Sequence, residues 1–159
     1  MKQKEYTYSE LHNLTLRNYQ KGMMAFLFVG LLNFIGTIIG ILKSGNGYFP
    51  SLMMDILIFN VLDASITNIY LRLLVNGAIS IATSFIFVLI WGLTRSGKIK
   101  AIITGLSIYF VDTILIFIFY LDNSYLIPQL LLHVIVIIFM AYGIANYYHL
   151  FAIERKFKK

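Results

Sequence analysis

Ala101-Ile-Ile-Thr-Gly105-Leu-Ser-Ile-Tyr109-Phe-Val-Asp112-Thr-Ile-Leu-Ile-Phe-Ile-Phe-Tyr-Leu121 is a run of twenty-one residues with one charge, Asp112, and no proline. As a helix rising about 1.5 Å per residue it reaches about 30 Å, the thickness of a bilayer's hydrocarbon core. A lipid-spanning strand would be about half as long and would alternate apolar with polar residues, and this run does neither. Hydrocarbon supplies no water to the backbone, so such a run must satisfy its own hydrogen bonds as a helix. Three more runs read the same way: Gly22 to Leu42, Leu73 to Leu93 and Gln129 to Tyr148.

The whole chain agrees with its parts. Of 159 residues, 59% are hydrophobic and 13% charged, and the mean hydropathy is +0.80. A soluble domain carries about 25% charged residues, so an ordinary globular enzyme is excluded. With no Cys and two Pro, so are a disulfide scaffold, a thiol redox mechanism and a Pro-rich disordered chain. The expected fold is all-α, a single polytopic membrane domain over residues 1–159 built as a four-helix bundle.

The net charge of +6 is a topology signal. Lys2, Lys4, Arg17, Lys21, Arg95, Lys98, Lys100, Arg155, Lys156, Lys158 and Lys159 fall on one side of the four runs; only Lys43 and Arg72 fall on the other, beside Asp55, Asp63 and Asp122. Cytoplasmic ends carry the excess of Lys and Arg, so both termini and the Thr94 to Lys100 turn are expected in the cytoplasm of a plasma-membrane protein. The basic residues are not interleaved with aromatics over a folded surface, and no nucleic-acid partner is expected.

Outside the spans, residues 1–21 read as a cytoplasmic lead-in helix lying along the headgroups, opened by the capping box Thr7-x-x-Glu10. Residues 149–159 read as a basic tail. The stretch from Lys43 to Arg72 is about thirty residues, far beyond the two to eight usual between bundle helices. Within it, residues 52–67 are too short to span and read as an outer amphipathic segment, interfacial or re-entrant, that shields the bundle end or forms a lid. Asp55, Asn60, Asp63 and Thr67 are expected in one arc of about 140°, facing away from Leu52, Ile56 and Phe59, so that Asp55, Asp63 and Asp122 make an outer acidic face.

Ionisable side chains inside a span cost about 2.5–3.5 kcal/mol each on insertion scales and are candidate functional groups. Asp112 lies midway along the third span and His133 in the fourth, and a short connection makes the two spans antiparallel neighbours. Counting along each helix puts both groups at similar depth, within reach of a pair. Tyr109, three residues before Asp112, is placed to donate its hydroxyl to either one. Asp112, His133 and Tyr109 form either a relay that holds a proton or ligand, or a lock that fixes the register of two helices. Asn33, Gly36 and Gly40 on the first span, and Asn76 and Gly77 on the second, read as helix-packing positions. The second span, richest in small residues, is expected at the centre.

No H-E-x-x-H, nucleophile elbow, phosphate-cradling loop or paired carboxylates on one face appear, so neither metal, cofactor nor catalysis is expected. Gly105 to Asp112, followed by Asp122, His133 and Gly143, resembles a group of small, uncharacterised bacterial four-span membrane proteins with Tyr-x-x-Asp in helix 3 and His in helix 4. The resemblance singles out Asp112 and His133 and implies no activity. Phe26 to Asn33 is similar to the opening of the GtrA-type polyprenyl-sugar translocation proteins, whose later Asn-Phe and Asn-Arg pattern does not follow here. The expected function is that of a noncatalytic accessory, regulatory or immunity-type subunit acting by helix contacts. The alternative is a small oligomeric transporter or channel with a relay at Asp112/His133. Either has the lipid bilayer as partner, together with another membrane protein or further copies of this chain.

Overall fold

The computed structural model describes residues 7–42, 52–119 and 126–157. They form five helices: α1 (Tyr8–Leu42), α2 (Met53–Ser65), α3 (Ile69–Arg95), α4 (Ile99–Phe119) and α5 (Leu126–Phe157). Four of them, α1, α3, α4 and α5, are long and apolar enough to cross a membrane, and the chain is a helical membrane bundle. Asp122, expected on an outer acidic face, lies outside the described residues, as does Lys43.

The capping box forms as its spacing requires. The Thr7 backbone N–H and hydroxyl donate to Glu10 Oε2 at 3.0 and 2.9 Å, and the Glu10 N–H donates to Thr7 Oγ1 at 3.4 Å. The helix that starts there does not stop at the membrane edge. It continues unbroken for 35 residues, about 52 Å, so the lead-in is the first part of α1 and not a separate helix along the headgroups. No proline interrupts it, and α5, whose helix likewise runs through the expected tail to Phe157, supports it sideways. Tyr8 packs on Phe157 with ring centroids 4.8 Å apart, which puts the start of α1 and the end of α5 at one end of the bundle.

The central helix is α1, with α5 on one flank and α3 on the other. This corrects the expectation that α3, with its many small residues, holds the centre. Small residues permit close approach without dictating which helix is approached from two sides, and α1 has its own stripe of them. Gly22, Ala25, Gly30, Asn33, Gly36, Thr37 and Gly40 are all buried. A Cβ on Gly22 would overlap the Gly143 backbone of α5, and one on Gly30 would lie 2.8 Å from the Ser84 carbonyl of α3. Between these contacts Met23, Phe26, Phe87, Ile102, Tyr109 and Met140 form the apolar core.

The turn between α3 and α4 is closed by glycine. Gly97 has φ of 72°, a left-handed conformation that glycine adopts without a Cβ clash. It lets the Gly97 N–H reach the Thr94 carbonyl at 2.9 Å and the Lys98 N–H reach the Leu93 carbonyl at 3.4 Å, the paired bonds of a Schellman ending. The buried Tyr19 hydroxyl of α1 also donates to the Thr94 carbonyl, tying α1 to the same turn.

Helix α2 departs most from expectation. It does not lie flat on the bundle end. Its N-terminal turn is inside the bundle, with Leu52, Met53, Asp55, Ile56 and Phe59 all at most 5% exposed. At 100° per residue, Leu52, Asp55, Ile56 and Phe59 fall within one arc of about 100°, so Asp55 shares the apolar face and does not oppose it. The Leu52 N–H donates to Asn33, nine residues or about 13 Å back along α1 from Leu42. Asn33 is halfway along the Gly22 to Leu42 run, so α2 begins level with the middle of that run and rises about 20 Å over its 13 residues. It is a half-length helix seated inside the bundle, packed on α3 and α4.

Candidate functional site

A helix that begins inside a bundle has a problem at its first turn. Its leading N–H groups have no carbonyl partners within the helix, and no water reaches them in hydrocarbon. The N-cap residue of α2 is Leu52, whose side chain cannot accept a hydrogen bond. The acceptors come instead from two other helices. Asn33 Oδ1 on α1 accepts the Leu52 N–H at 2.7 Å. The Asp112 carboxylate on α4 accepts the Met53 N–H at 3.1 Å through Oδ2 and the Met54 N–H at 2.8 Å through Oδ1. Asp112 is 1% exposed and Asn33 0%, and the positive end of the α2 dipole points at the carboxylate that caps it.

Behind Asp112 stands His133 of α5, one helix further round. Its Nε2 lies 3.0 Å from Asp112 Oδ2, and its Nδ1 lies 2.9 Å from the Gln129 carbonyl. A carbonyl only accepts, so Nδ1 carries a hydrogen, and Nε2 faces the carboxylate across a single proton. That proton makes an ion pair when on nitrogen and a neutral acid and imidazole when on oxygen. Either way the pair has no net charge, the form hydrocarbon tolerates best. Tyr109 lies flat against the imidazole, ring centroids 4.6 Å apart and planes within 9°. Its contact with His133 is thus a face-to-face stack.

A second carboxylate stands on the other side of the α2 terminus. Asp55, the third residue of α2, is 4% exposed. Its Oδ2 accepts from Asn33 Nδ2 at 2.6 Å and its Oδ1 from the Thr83 hydroxyl at 3.2 Å. Asn33 Nδ2 also reaches Ser84 Oγ at 3.1 Å and the Ser80 carbonyl at 3.4 Å. Unlike Asp112, Asp55 has, among the described residues, only neutral donors around it, with the helix terminus beneath it. The expected outer acidic face is therefore corrected at Asp55, whose side chain points into the bundle. Asp63, at the far end of α2, does stay half-exposed and pairs with Arg72 of α3, whose guanidinium lies 5.8 Å from the Phe59 ring centroid.

The packing positions divide. Gly36 and Gly40 are buried on α1, and Gly77 is buried on α3, where a Cβ would come within 3.2 Å of Ile41. Asn33 serves the polar cluster as well as packing. Asn76 is half-buried with its Oδ1 shielded and, among the described residues, without a hydrogen-bond donor. Among the described residues no three His, Cys, Asp or Glu side chains come together as a metal site.

Asp55, Thr83 and Ser84 were not singled out from the sequence as members of this cluster. A usable signal existed for Asp55, its place among Leu52, Ile56 and Phe59 on the helical wheel. Replacing Asp55 with asparagine is expected to leave stability within about 1 kcal/mol. The new amide can accept from Asn33 with its oxygen and donate to Thr83 Oγ1, whose single hydrogen then points to the Ile79 carbonyl, 3.0 Å away. Thermal unfolding in detergent measures it, with Asp55→Leu as the contrasting loss. No protein-family model, no curated protein and no solved structure matches this chain.

Proposed function

We propose that the protein is a small carrier or channel of the cytoplasmic membrane, with both termini in the cytoplasm, in which α2 is the movable element and Asp112/His133 the relay that holds it. The observation that carries this reading is the Asp112 carboxylate, which accepts the first N–H groups of a re-entrant helix at 2.8 and 3.1 Å and faces His133 at 3.0 Å. Half-span helices whose N-termini sit at mid-bilayer are the parts from which membrane proteins build substrate and ion sites. Here the same two oxygens hold a helix terminus and a proton. Moving the proton changes the charge on the group that caps α2, which couples occupancy to the seating of that helix.

The test is flux in vesicles reconstituted with the purified full chain and loaded with a pH-sensitive dye. Proton or alkali-cation flux that depends on pH, is lost in Asp112→Asn and persists in Asp63→Asn is the expected result. Silence in all three across a panel of cations and small solutes overturns the reading. Reporter fusions at the carboxyl terminus check the orientation, which the eleven-to-two distribution of basic residues supports.

A second reading has its own support. The faces turned outward on α3, α4 and α5 are broad and apolar, with Phe85, Phe110, Phe117 and Phe139 each at least 50% exposed, while Ser80, Ser84, Asp112 and His133 are buried. A noncatalytic accessory or regulatory subunit would bind another membrane protein through such faces. Crosslinking in native membranes, followed by purification, distinguishes the two: a defined membrane-protein partner favours the subunit, and a homo-oligomer favours the carrier.

A further inference from the structure

Where α1 and α5 touch at Gly22 and Gly143, their backbones are in contact. Immediately beyond that contact a groove of about 490 Å³ opens on the lipid side of the pair. Met24, Phe28 and Leu31 of α1 and Ile135 and Phe139 of α5 form its walls, with Ala25 in its floor. Lys21 is the one polar residue among the described residues that line it, and it stands at the end where the apolar run of α1 begins. Leu31 is ten residues further on, about 15 Å deeper into the bilayer.

We infer that this groove is a binding site for one acyl chain of an anionic phospholipid, whose phosphate is held by Lys21 at the membrane edge. The apolar walls exclude a polar ligand, and the membrane supplies alkyl chains at the highest concentration of any solute there. The charge at the rim decides the class of lipid. A Lys stem lies along apolar surface while its ammonium reaches the headgroup level, and Arg17, one turn earlier and also exposed, adds charge of the same sign. A phosphate with no ammonium of its own gains from both, whereas a zwitterionic headgroup neutralises itself.

The experiment is native mass spectrometry of the full chain in nonionic detergent, with phosphatidylglycerol and phosphatidylcholine of identical chains added in equal amounts. One retained phosphatidylglycerol, preferred over phosphatidylcholine, is expected for the parental chain. Lys21→Gln is expected to lower that preference about fivefold while chain binding remains. Leu31→Trp, an exposed position that fills the groove without entering the core, is expected to lose both lipids. Equal retention of the two lipids by the parental chain, or an unchanged preference in both variants, overturns the assignment. A stable dimer in place of lipid adducts also overturns it, giving the groove to a second copy.

Discussion

Replacing Asp112 with leucine is expected to cost about 3–6 kcal/mol and to unseat α2 from the bundle. The carboxylate accepts two backbone N–H groups and faces one imidazole nitrogen. Leucine satisfies none of them. His133 can shed its Nε2 hydrogen and keep its bond to the Gln129 carbonyl, which leaves two backbone donors orphaned where no water reaches, at about 1–3 kcal/mol each. Loss of a charged acceptor adds to that. Asparagine is milder. Its oxygen can take the Met54 N–H and its amide can donate to a neutral His133, so one donor, the Met53 N–H, is orphaned, and the expected loss is about 1–3 kcal/mol. Two measurements separate loosening of α2 from general unfolding. The chain has no cysteine, so Ile56→Cys, a position 5% exposed, introduces a single thiol on the buried face of α2. In the parental background the thiol is expected to resist a membrane-permeant maleimide, and with Asp112→Leu it is expected to react before the protein melts. Resistance that persists in a variant of unchanged melting temperature would mean that α2 is held by its apolar face alone, through Met53, Ile56 and Ile116.

What could be read from sequence and what could not divide along a physical line. The four spans follow from local properties, the length of apolar runs and the solvent they imply, and the observed helices contain three of the runs outright and begin the fourth. They overshoot the runs at the termini because helical hydrogen bonding does not depend on hydropathy and continues wherever no proline or glycine stops it. The Asp112 and His133 pair was legible because two ionisable residues in antiparallel neighbouring spans had few other ways to be satisfied. The seat of α2 was not legible. The helix has Leu52 where a capping side chain would stand, and its caps come from Asn33, nineteen residues earlier, and Asp112, 59 residues later. A cap supplied across the fold leaves no mark near the helix it caps. Asp55 departs from expectation for a different reason: a carboxylate in an apolar stretch reads as facing water, although its angular position lies with Leu52 and Ile56. The face a residue occupies is set by its angle, and an acid can occupy the inner face when donors such as Asn33 and Thr83 await it.

The largest effect outside the polar cluster is expected from the smallest substitution. Gly22→Ala adds one methyl group at the point where α1 and α5 cross. Most overpacked sites relieve themselves by turning a side chain, but the atoms that a Cβ on Gly22 meets are the Gly143 backbone and the Phe139 carbonyl, which move only if the helices separate. Separation is felt along their whole shared length. It loosens the Tyr19 and Tyr147 rings, 5.8 Å apart at one level, and Met23 and Met140, both 0% exposed. The expected loss is about 3 kcal/mol, at the upper end of the usual range for overpacking. Gly92 of α3 provides the internal control. It too is a helical glycine, but a Cβ there would meet nothing within 4 Å, so Gly92→Ala is expected to raise stability by about 0.5–1 kcal/mol through helix propensity alone. Thermal unfolding of both variants in one detergent measures the difference. If Gly22→Ala and Gly92→Ala shift the midpoint in the same direction, the backbone contact between α1 and α5 does not set the geometry of the bundle, and the groove beside it would lose its physical origin.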